Sequence, residues 1–241
     1  MDLVESIFQN YRQVSRNIEV AAARSNRSVH DVQVVVVTKQ QPVSVIQAAI
    51  KAGISIFGEN YPVEAVDKIN YLSDDRSKIQ WHMIGHIQGR KVKLVADHFD
   101  YIHSLDRFET ANRLSGYLST KKKAFPVLIE VNISGESSKY GLDASHPEKW
   151  QEIASFVRQI YELPGVDIRG LMTMPPFTED AEQSRPYFRS LKRLQQYLNQ
   201  EIKGLYLTEL SMGTSADYIT AVEEGATMVR IGQAILGSRP N

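Results

Sequence analysis

The sequence predicts a single (β/α)8 barrel with an extra helix at its N-terminus. Three observations carry that prediction. The run Val34-Val35-Val36-Val37 reads as a strand buried on both faces, as in a parallel sheet. Strand-like apolar runs then alternate with helix-like stretches about eight times. The 241 residues also match the roughly 250 of one such barrel. No Pro-, Gly- or Ser-rich linker divides them, so residues 1–241 are read as one domain. An open, doubly wound sheet is the alternative architecture.

Residues 2–24 carry apolar side chains at helical spacing: Leu3, Val4, Ile7, Tyr11, Val14, Ile18, Ala21 and Ala22. The first strand is predicted over Gln33–Thr38, followed by a helix over Pro42–Lys51 with Pro in its first turn. A second strand over Ile54–Phe57 precedes a helix near Pro62–Leu72. The third strand, Ile79–Ile84, precedes a helix near Arg90–Asp97. The fourth, Tyr101–Ser104, precedes a helix from Arg107 to about Thr120. The fifth, Pro126–Ile133, precedes His146–Tyr161. The sixth, Asp167–Leu171, precedes Glu179–Glu201. The seventh, Tyr206–Leu210, precedes Ala216–Glu224. The eighth, Thr227–Ile231, is followed only by a short tail, so the N-terminal helix is expected to fill the gap in the outer ring.

Lys and Arg together number 28, as do Asp and Glu, so no global field favours nucleic acid or an anionic membrane. The Lys121-Lys122-Lys123 run is expected to be a solvated turn. The absence of cysteine excludes disulfides, thiolate catalysis and cysteine-based metal sites, and fits a reducing compartment. The acidic N-terminus does not read as a signal peptide, and no apolar run approaches a membrane span. A soluble cytoplasmic protein is expected.

In a barrel, the residues just after each strand converge on one face. Lys39 follows the first strand. Loss of hydration there would lower its pKa and present a neutral amine to an aldehyde; a strand-end lysine reaching for water is the plainer alternative. Asn60 follows the second strand, Ile84 and His86 the third, and His103 and Ser104 the fourth. Ser211, Gly213, Thr214 and Ser215 follow the seventh and offer hydroxyls and backbone amides before a helix. Gly232 after the eighth lets a backbone approach closely. Barrel phosphate sites commonly lie there, although Ser and Thr also serve as ordinary caps. Arg230 is an always-charged group at the mouth or else a partner of Glu209, Glu223 or Glu224. His82 and His86 stand four apart, but on a strand they share no helical face, so a metal pair is not expected.

These residues resemble the pyridoxal-phosphate homeostasis proteins (the YggS/PROSC family), which are similar in turn to the barrel domain of alanine racemase. The matching segments include Thr38-Lys39-Gln40-Gln41-Pro42, Phe57-Gly58-Glu59-Asn60-Tyr61, Trp81-His82-Met83-Ile84-Gly85-His86-Ile87-Gln88 and His103-Ser104-Leu105-Asp106-Arg107. They continue with Arg169-Gly170-Leu171-Met172-Thr173-Met174, Leu210-Ser211-Met212-Gly213 and Met228-Val229-Arg230-Ile231-Gly232. The resemblance runs from about Val34 to Gly237 and implies an alanine-racemase N-terminal-domain-like barrel. It implies pyridoxal 5′-phosphate (PLP) held as a Schiff base on Lys39, with Asn60, Ile84 and Ser104 around the ring. It places the phosphate on Ser211, Met212, Gly232 and Gln233, with Gly213 close by, and sets Arg230 against the pyridine nitrogen. Gln233 and Thr214 depart from the usual threonine and methionine, and Gln233 removes a hydroxyl from the expected phosphate site.

The resemblance implies a role in vitamin B6 and amino-acid homeostasis, and suggests a monomer. PLP supplies the electron sink and the protein tunes it. The chain stops at Asn241, leaving no room for the second domain that carries the opposing tyrosine of the racemases. The expectation is therefore a protein without catalytic residues that buffers PLP or delivers it to PLP-dependent apoenzymes. A small racemase or decarboxylase using His103 or Tyr61 is the second reading. A barrel for another phosphorylated metabolite, with Lys39 acting only through its charge, is the third.

Overall fold

The computed structural model describes residues 2–121 and 124–238. In chain order the elements are α1 (Leu3–Arg24), β1 (Gln33–Val37), α2 (Val43–Lys51), β2 (Ile56–Glu59), α3 (Pro62–Tyr71), β3 (Gln80–Met83), α4 (Val92–His98), β4 (Tyr101–Leu105) and α5 (Phe108–Ser119). They continue with β5 (Phe125–Asn132), β6 (Leu142–Asp143), α6 (Trp150–Tyr161), β7 (Val166–Met172), α7 (Arg185–Glu201), β8 (Glu209–Ser211), α8 (Tyr218–Glu223), β9 (Met228–Ile231) and α9 (Gln233–Leu236). Adjacent strands pair in parallel from β1 to β5, then β5 with β7, β7 with β8 and β8 with β9. Pairing of β9 with β1 closes the ring, which rules out the open sheet. The short β6 lies outside the ring and pairs with the end of β5.

The alternation of side chains along each strand produces two apolar clusters. Val35, Tyr101, Leu128, Met172 and Met228, with Ile56 against them, come from strands alone and fill the barrel interior. The neighbouring strand positions, such as Val34, Val36, Val127 and Ile129, pack with the helices in a larger outer cluster. Along β5 this puts Leu128 and Glu130 on the inward side. Along β9 it puts Met228 and Arg230 there.

α1 buries Ile7, Val14, Ile18, Ala21 and Ala22, the stripe its spacing predicts. Asp2 caps it by accepting from the Glu5 N–H at 2.8 Å. The helix packs on α2, α8 and α9, filling the ring position beyond β9. Asn17 donates to the Tyr218 hydroxyl at 2.7 Å, and Asn10 to the Ile235 carbonyl at 3.0 Å.

Boundaries shift where side chains compete for the backbone. The seventh predicted strand, 206–210, becomes β8, Glu209–Ser211. Asn199 captures the Leu207 N–H at 2.7 Å and donates to its carbonyl at 2.9 Å, which takes that residue out of the ladder. The second predicted strand moves to Ile56–Glu59 because the Ile54 N–H closes the preceding helix onto the Ala49 carbonyl. Lys122 and Lys123 lie outside the described residues. Among the described residues, no helix is long and apolar enough to cross a membrane.

Candidate functional site

Lys39 stands two residues beyond β1 at the C-terminal mouth, where the strand order brings it beside the ends of β2 and β9. Its neighbours are fixed on both sides. The Thr38 hydroxyl donates to Glu59 Oε1 at 2.8 Å, and the Thr38 carbonyl accepts from Lys68 Nζ at 2.9 Å. The Gln40 N–H donates to Glu64 Oε1 at 2.8 Å, which holds Gln40 at φ 60°, a left-handed conformation unusual for a side-chain-bearing residue. Lys68 joins both carboxylates, Glu59 at 2.9 Å and Glu64 at 2.6 Å. Burial pushes the Glu59 carboxyl up, and the adjoining ammonium opposes that shift. The cluster is thus a buried clamp around the peptide that carries Lys39.

Arg230 is buried at the inward side of β9. It donates to the Ser211 hydroxyl at 2.5 Å and to the Thr173 carbonyl at 2.9 Å. Burial lowers its pKa to about 10, so it stays a cation at neutral pH. Glu223 and Glu224 are bound to Arg185, and Glu209 accepts from Tyr101, so none of these carboxylates is its partner. Behind Ser211 the polar chain continues into the barrel. His103 Nδ1 lies 2.9 Å from the Ser211 hydroxyl, and His103 Nε2 lies 2.9 Å from His82 Nδ1. Burial holds both rings neutral, lowering His82 to about 4 and His103 well below its ordinary value.

A cavity of about 440 Å³ opens above Arg230. Lys39, Asn60, Ile84 and Arg230 line it, with Thr214, Ser215, Gly232 and Gln233 at one end and Met174 and Phe177 on the rim. The polar end is built from tight backbone. Gly213 has φ +92°, and a Cβ there would lie 2.6 Å from that of Ala221. Asp217 Oδ1 accepts from the Thr214 N–H at 2.7 Å and fixes the next turn. A Cβ on Gly232 would lie 3.2 Å from the Val37 carbonyl oxygen. The site suits PLP in two respects. Asn60 Oδ1 is buried with no hydrogen-bond partner and awaits a donor. The opposite end offers hydroxyls, a glycine and helix-start backbone to an anion.

A second cavity of about 500 Å³ adjoins the first and shares Asn60, Ile84 and Met174 with it. Tyr61, His86, Lys91, Glu130 and Tyr140 complete its polar and aromatic walls. Arg107 donates to His86 Nε2 at 2.8 Å, so the neutral ring carries its proton on Nδ1. Burial, with Arg107 adding to it, keeps His86 below its ordinary pKa, and Asp106 opposes.

Of the ten residues expected around the cofactor, six line the first cavity: Lys39, Asn60, Ile84, Arg230, Gly232 and Gln233. The other four stand behind it. Ser104 is buried and donates to the Gly85 carbonyl at 2.6 Å, bracing the turn next to Ile84. Ser211 is occupied by Arg230 and His103, Met212 packs into the outer core, and Gly213 makes the turn into Thr214. His82 and His86 lie in different places, one in the core and one at the rim. The clamp residues Lys68 and Glu64 were not singled out from sequence. Their i,i+4 spacing on α3 was the available signal, but that spacing is common on solvated helices. Glu130 was also missed, because one acidic residue in an apolar strand has no pattern.

Comparison with known proteins gives the chain's family and fold. A family model described as alanine racemase, N-terminal domain, matches residues 9–240. The pyridoxal phosphate homeostasis protein of Pasteurella multocida (strain Pm70) is 39% identical over 97% of this chain and 98% of its own length. Among solved structures, PipY of Synechococcus elongatus PCC7942, with PLP bound, superposes with a TM-score of 0.78 at 33% identity. That match covers 86% of this chain and 93% of PipY. The alanine racemase of Bartonella henselae shares the fold at a TM-score of 0.70 and 17% identity, covering 99% of this chain and 61% of the racemase. By full-length identity and by fold, the chain belongs to the pyridoxal phosphate homeostasis protein family, built on the alanine racemase N-terminal barrel.

Proposed function

We propose that this chain binds PLP in the cavity that Lys39 lines, and holds it for homeostasis without sustained turnover of amino acids. The observation that carries this reading is the convergence on one cavity of Lys39, the unpartnered Asn60 oxygen, Arg230 and the Gly232-Gln233 turn. When bound, PLP supplies an aldehyde for the Lys39 amine and an electron-withdrawing ring beside it. The clamp on Thr38 and Gln40 orients the Lys39 peptide toward that aldehyde. Asn60 Oδ1, which has no partner of its own, would accept a hydrogen bond from the ligand. Gly232, Gln233, Thr214 and Ser215 form the anion end. Arg230 would be the residue beside the ring, a fixed cation whose guanidinium cannot accept a proton at neutral pH, and a pyridine nitrogen left neutral there would be a weaker electron sink.

A storage role is further supported by the position of His103. It is sealed beneath Arg230 and Ser211, so it does not line the cavity as an acid–base group would. Tyr61 lines the adjoining cavity and is half-exposed. The recipients would be PLP-dependent apoenzymes in the cytoplasm, met by a monomer.

The test is the visible absorbance of the purified protein incubated with PLP, followed by borohydride reduction and peptide mapping. A shifted absorbance band with the reduced adduct on Lys39 is expected. A protein that stays colourless and unmodified would overturn the reading. Release of α-deuterium from labelled amino acids at an enzyme-like rate would overturn the storage role.

A further inference from the structure

Glu130 is the one acidic group on the wall of the second cavity. It sits on the inward side of β5, two residues after Leu128 of the interior cluster. Its Oε2 is buried and has no hydrogen-bond partner, and among the described residues no Lys, Arg or His forms an ion pair with it. Buried carboxylates are ordinarily paired or hydrogen-bonded, because removing the charge from water is costly. Glu59, a fully buried carboxylate at the mouth, follows that rule through Lys68. Glu130 does not, and unlike Glu59 it opens onto space large enough for a ligand.

The remaining walls narrow the kind of ligand. Tyr61, Pro62, Val63 and Met174 are apolar or aromatic. The Tyr140 ring stacks on His86 with centroids 4.1 Å apart. The groups facing Glu130 electrostatically are Arg230, which favours its charge, and Asp106, which opposes it. His86 and Lys91 share the cavity. Arg230 directs Nη1 to Ser211 and Nη2 to Thr173, and among the described residues no group donates to Glu130 Oε2.

We propose that the second cavity is a subsite for a primary ammonium group on a short apolar chain, with Glu130 as its counter-ion and proton acceptor. The ammonium donates to the Glu130 carboxylate. Transfer of one proton to that carboxylate leaves a neutral amine and a neutral carboxylic acid, with no change in total charge. The shared wall of Asn60, Ile84 and Met174 sets that amine beside the Lys39 cavity. This deepens, and rests on, the PLP reading for what the amine does there: a free amine next to the cofactor is the group that competes with Lys39 for it. The ammonium site itself is measurable without cofactor.

The experiment uses full-length, PLP-free protein and n-butylamine, with n-butanol as the uncharged isostere. Binding is read at neutral pH from NMR shifts of the His86 and Tyr140 ring signals. Wild type is expected to bind butylammonium in the millimolar range, with butanol at least tenfold weaker. Glu130→Gln, close to isosteric, is expected to lose tenfold or more for the amine and to be unchanged for butanol. Its fold is checked by circular dichroism, and Glu130→Asp is carried as a second variant that keeps the charge. Equal amine affinity in wild type and Glu130→Gln, or no shift at these rings, overturns the proposal. PLP absorbance on the same samples separates the two readings. A normal Lys39 adduct with no amine site sinks only the subsite, whereas a colourless wild type sinks the PLP reading whatever the amine does.

Discussion

The two cavities at the barrel mouth are neighbours with opposite internal states. Around the first, the cationic and hydroxyl groups are committed before any ligand arrives. Thr38 is tied to Glu59 and Lys68, Arg230 to Ser211 and Thr173, and Thr214 to Asp217. In the second, Glu130 Oε2 is buried without a hydrogen-bond partner, and His86 Nδ1 has only the Asp106 carboxylate at 3.6 Å. A preorganised site gives affinity by avoiding reorganisation on binding. An unpaired buried group does the reverse: it destabilises the empty protein and is relieved by a partner. On the proposed reading, one side of the mouth would hold the ligand and the other would exchange it. Asn60, which lines both cavities and carries a buried oxygen without a partner, lies on the boundary.

The sharpest way to break this comparison is at Lys39. Lys39→Ala is expected to abolish the borohydride-reducible adduct, because among the described residues no other lysine lines the first cavity. Noncovalent binding through the anion end should persist, weakened. Mass spectrometry of the reduced protein checks the first statement and dialysis equilibrium with PLP the second. An adduct that survives on Lys91 would mean that the second cavity, and not the first, holds the cofactor.

Next in size is the clamp. Lys68→Met leaves Glu59 buried without its cation, and breaking such a pair costs about 3–5 kcal/mol. The urea midpoint should fall accordingly. Combining Lys68→Met with Glu59→Gln should recover much of that loss, since the fully buried charge is then gone and the Glu64 carboxylate that remains is partly exposed to water. If the single variant unfolds like wild type, the clamp is not what fixes the Lys39 peptide.

The barrel itself was legible because its signals are repetitive. Buried parallel strands give continuous apolar runs such as Val34–Val37, and α1 gives an apolar stripe over many turns. Lys39, Asn60 and Arg230 were legible because position after a strand defines the mouth. Ser211 shows the limit. A hydroxyl at a strand end reads equally well as a phosphate ligand or as a brace, and only the register of β8 against β9, with Ser211 opposite Met228, turns it toward Arg230 and His103. Lys68 and Glu130 were illegible for a related reason. Their meaning depends on what stands across a tertiary gap, Glu59 for one and an open cavity for the other.

The pH dependence of stability sharpens the contrast at about 3 kcal/mol. Burial raises Glu130 from 4.5 to about 7, with Asp106 adding and Arg230 opposing. A raised folded pKa means that its contribution is fully present below 4.5 and is lost as pH rises through 7. Glu130→Gln should therefore be more stable than wild type at pH 8, by something on the order of 3 kcal/mol, and nearly equal at pH 4.5. His82 works in the other window. Its folded pKa is lowered to about 4, so its contribution is complete above 6.5 and is lost as pH falls toward 4. Paired urea titrations at pH 8 and pH 4.5 read the Glu130 effect with the His82 loss common to both proteins. A gain that is the same at both pH values would show that Glu130 is not a destabilising charge.

The smallest expected effect tests how finished the first cavity is. Gln233 begins α9 and lines the anion end beside Gly232. A backbone amide at that position would serve a phosphate whatever the side chain, but glutamine lacks the short hydroxyl that threonine would place against the same oxygen. Gln233→Thr should therefore tighten PLP by about 0.5–1.5 kcal/mol, the net yield of one added hydrogen bond, or roughly tenfold at most. The gain should appear equally for pyridoxine 5′-phosphate, which has no aldehyde, and should vanish for unphosphorylated pyridoxal. If pyridoxal tightens as much as PLP, the residue acts through Lys39 and not through the phosphate. If neither changes, the backbone turn at Gly232 already completes the anion end, and the hydroxyls of Thr214 and Ser215 are sufficient partners for it.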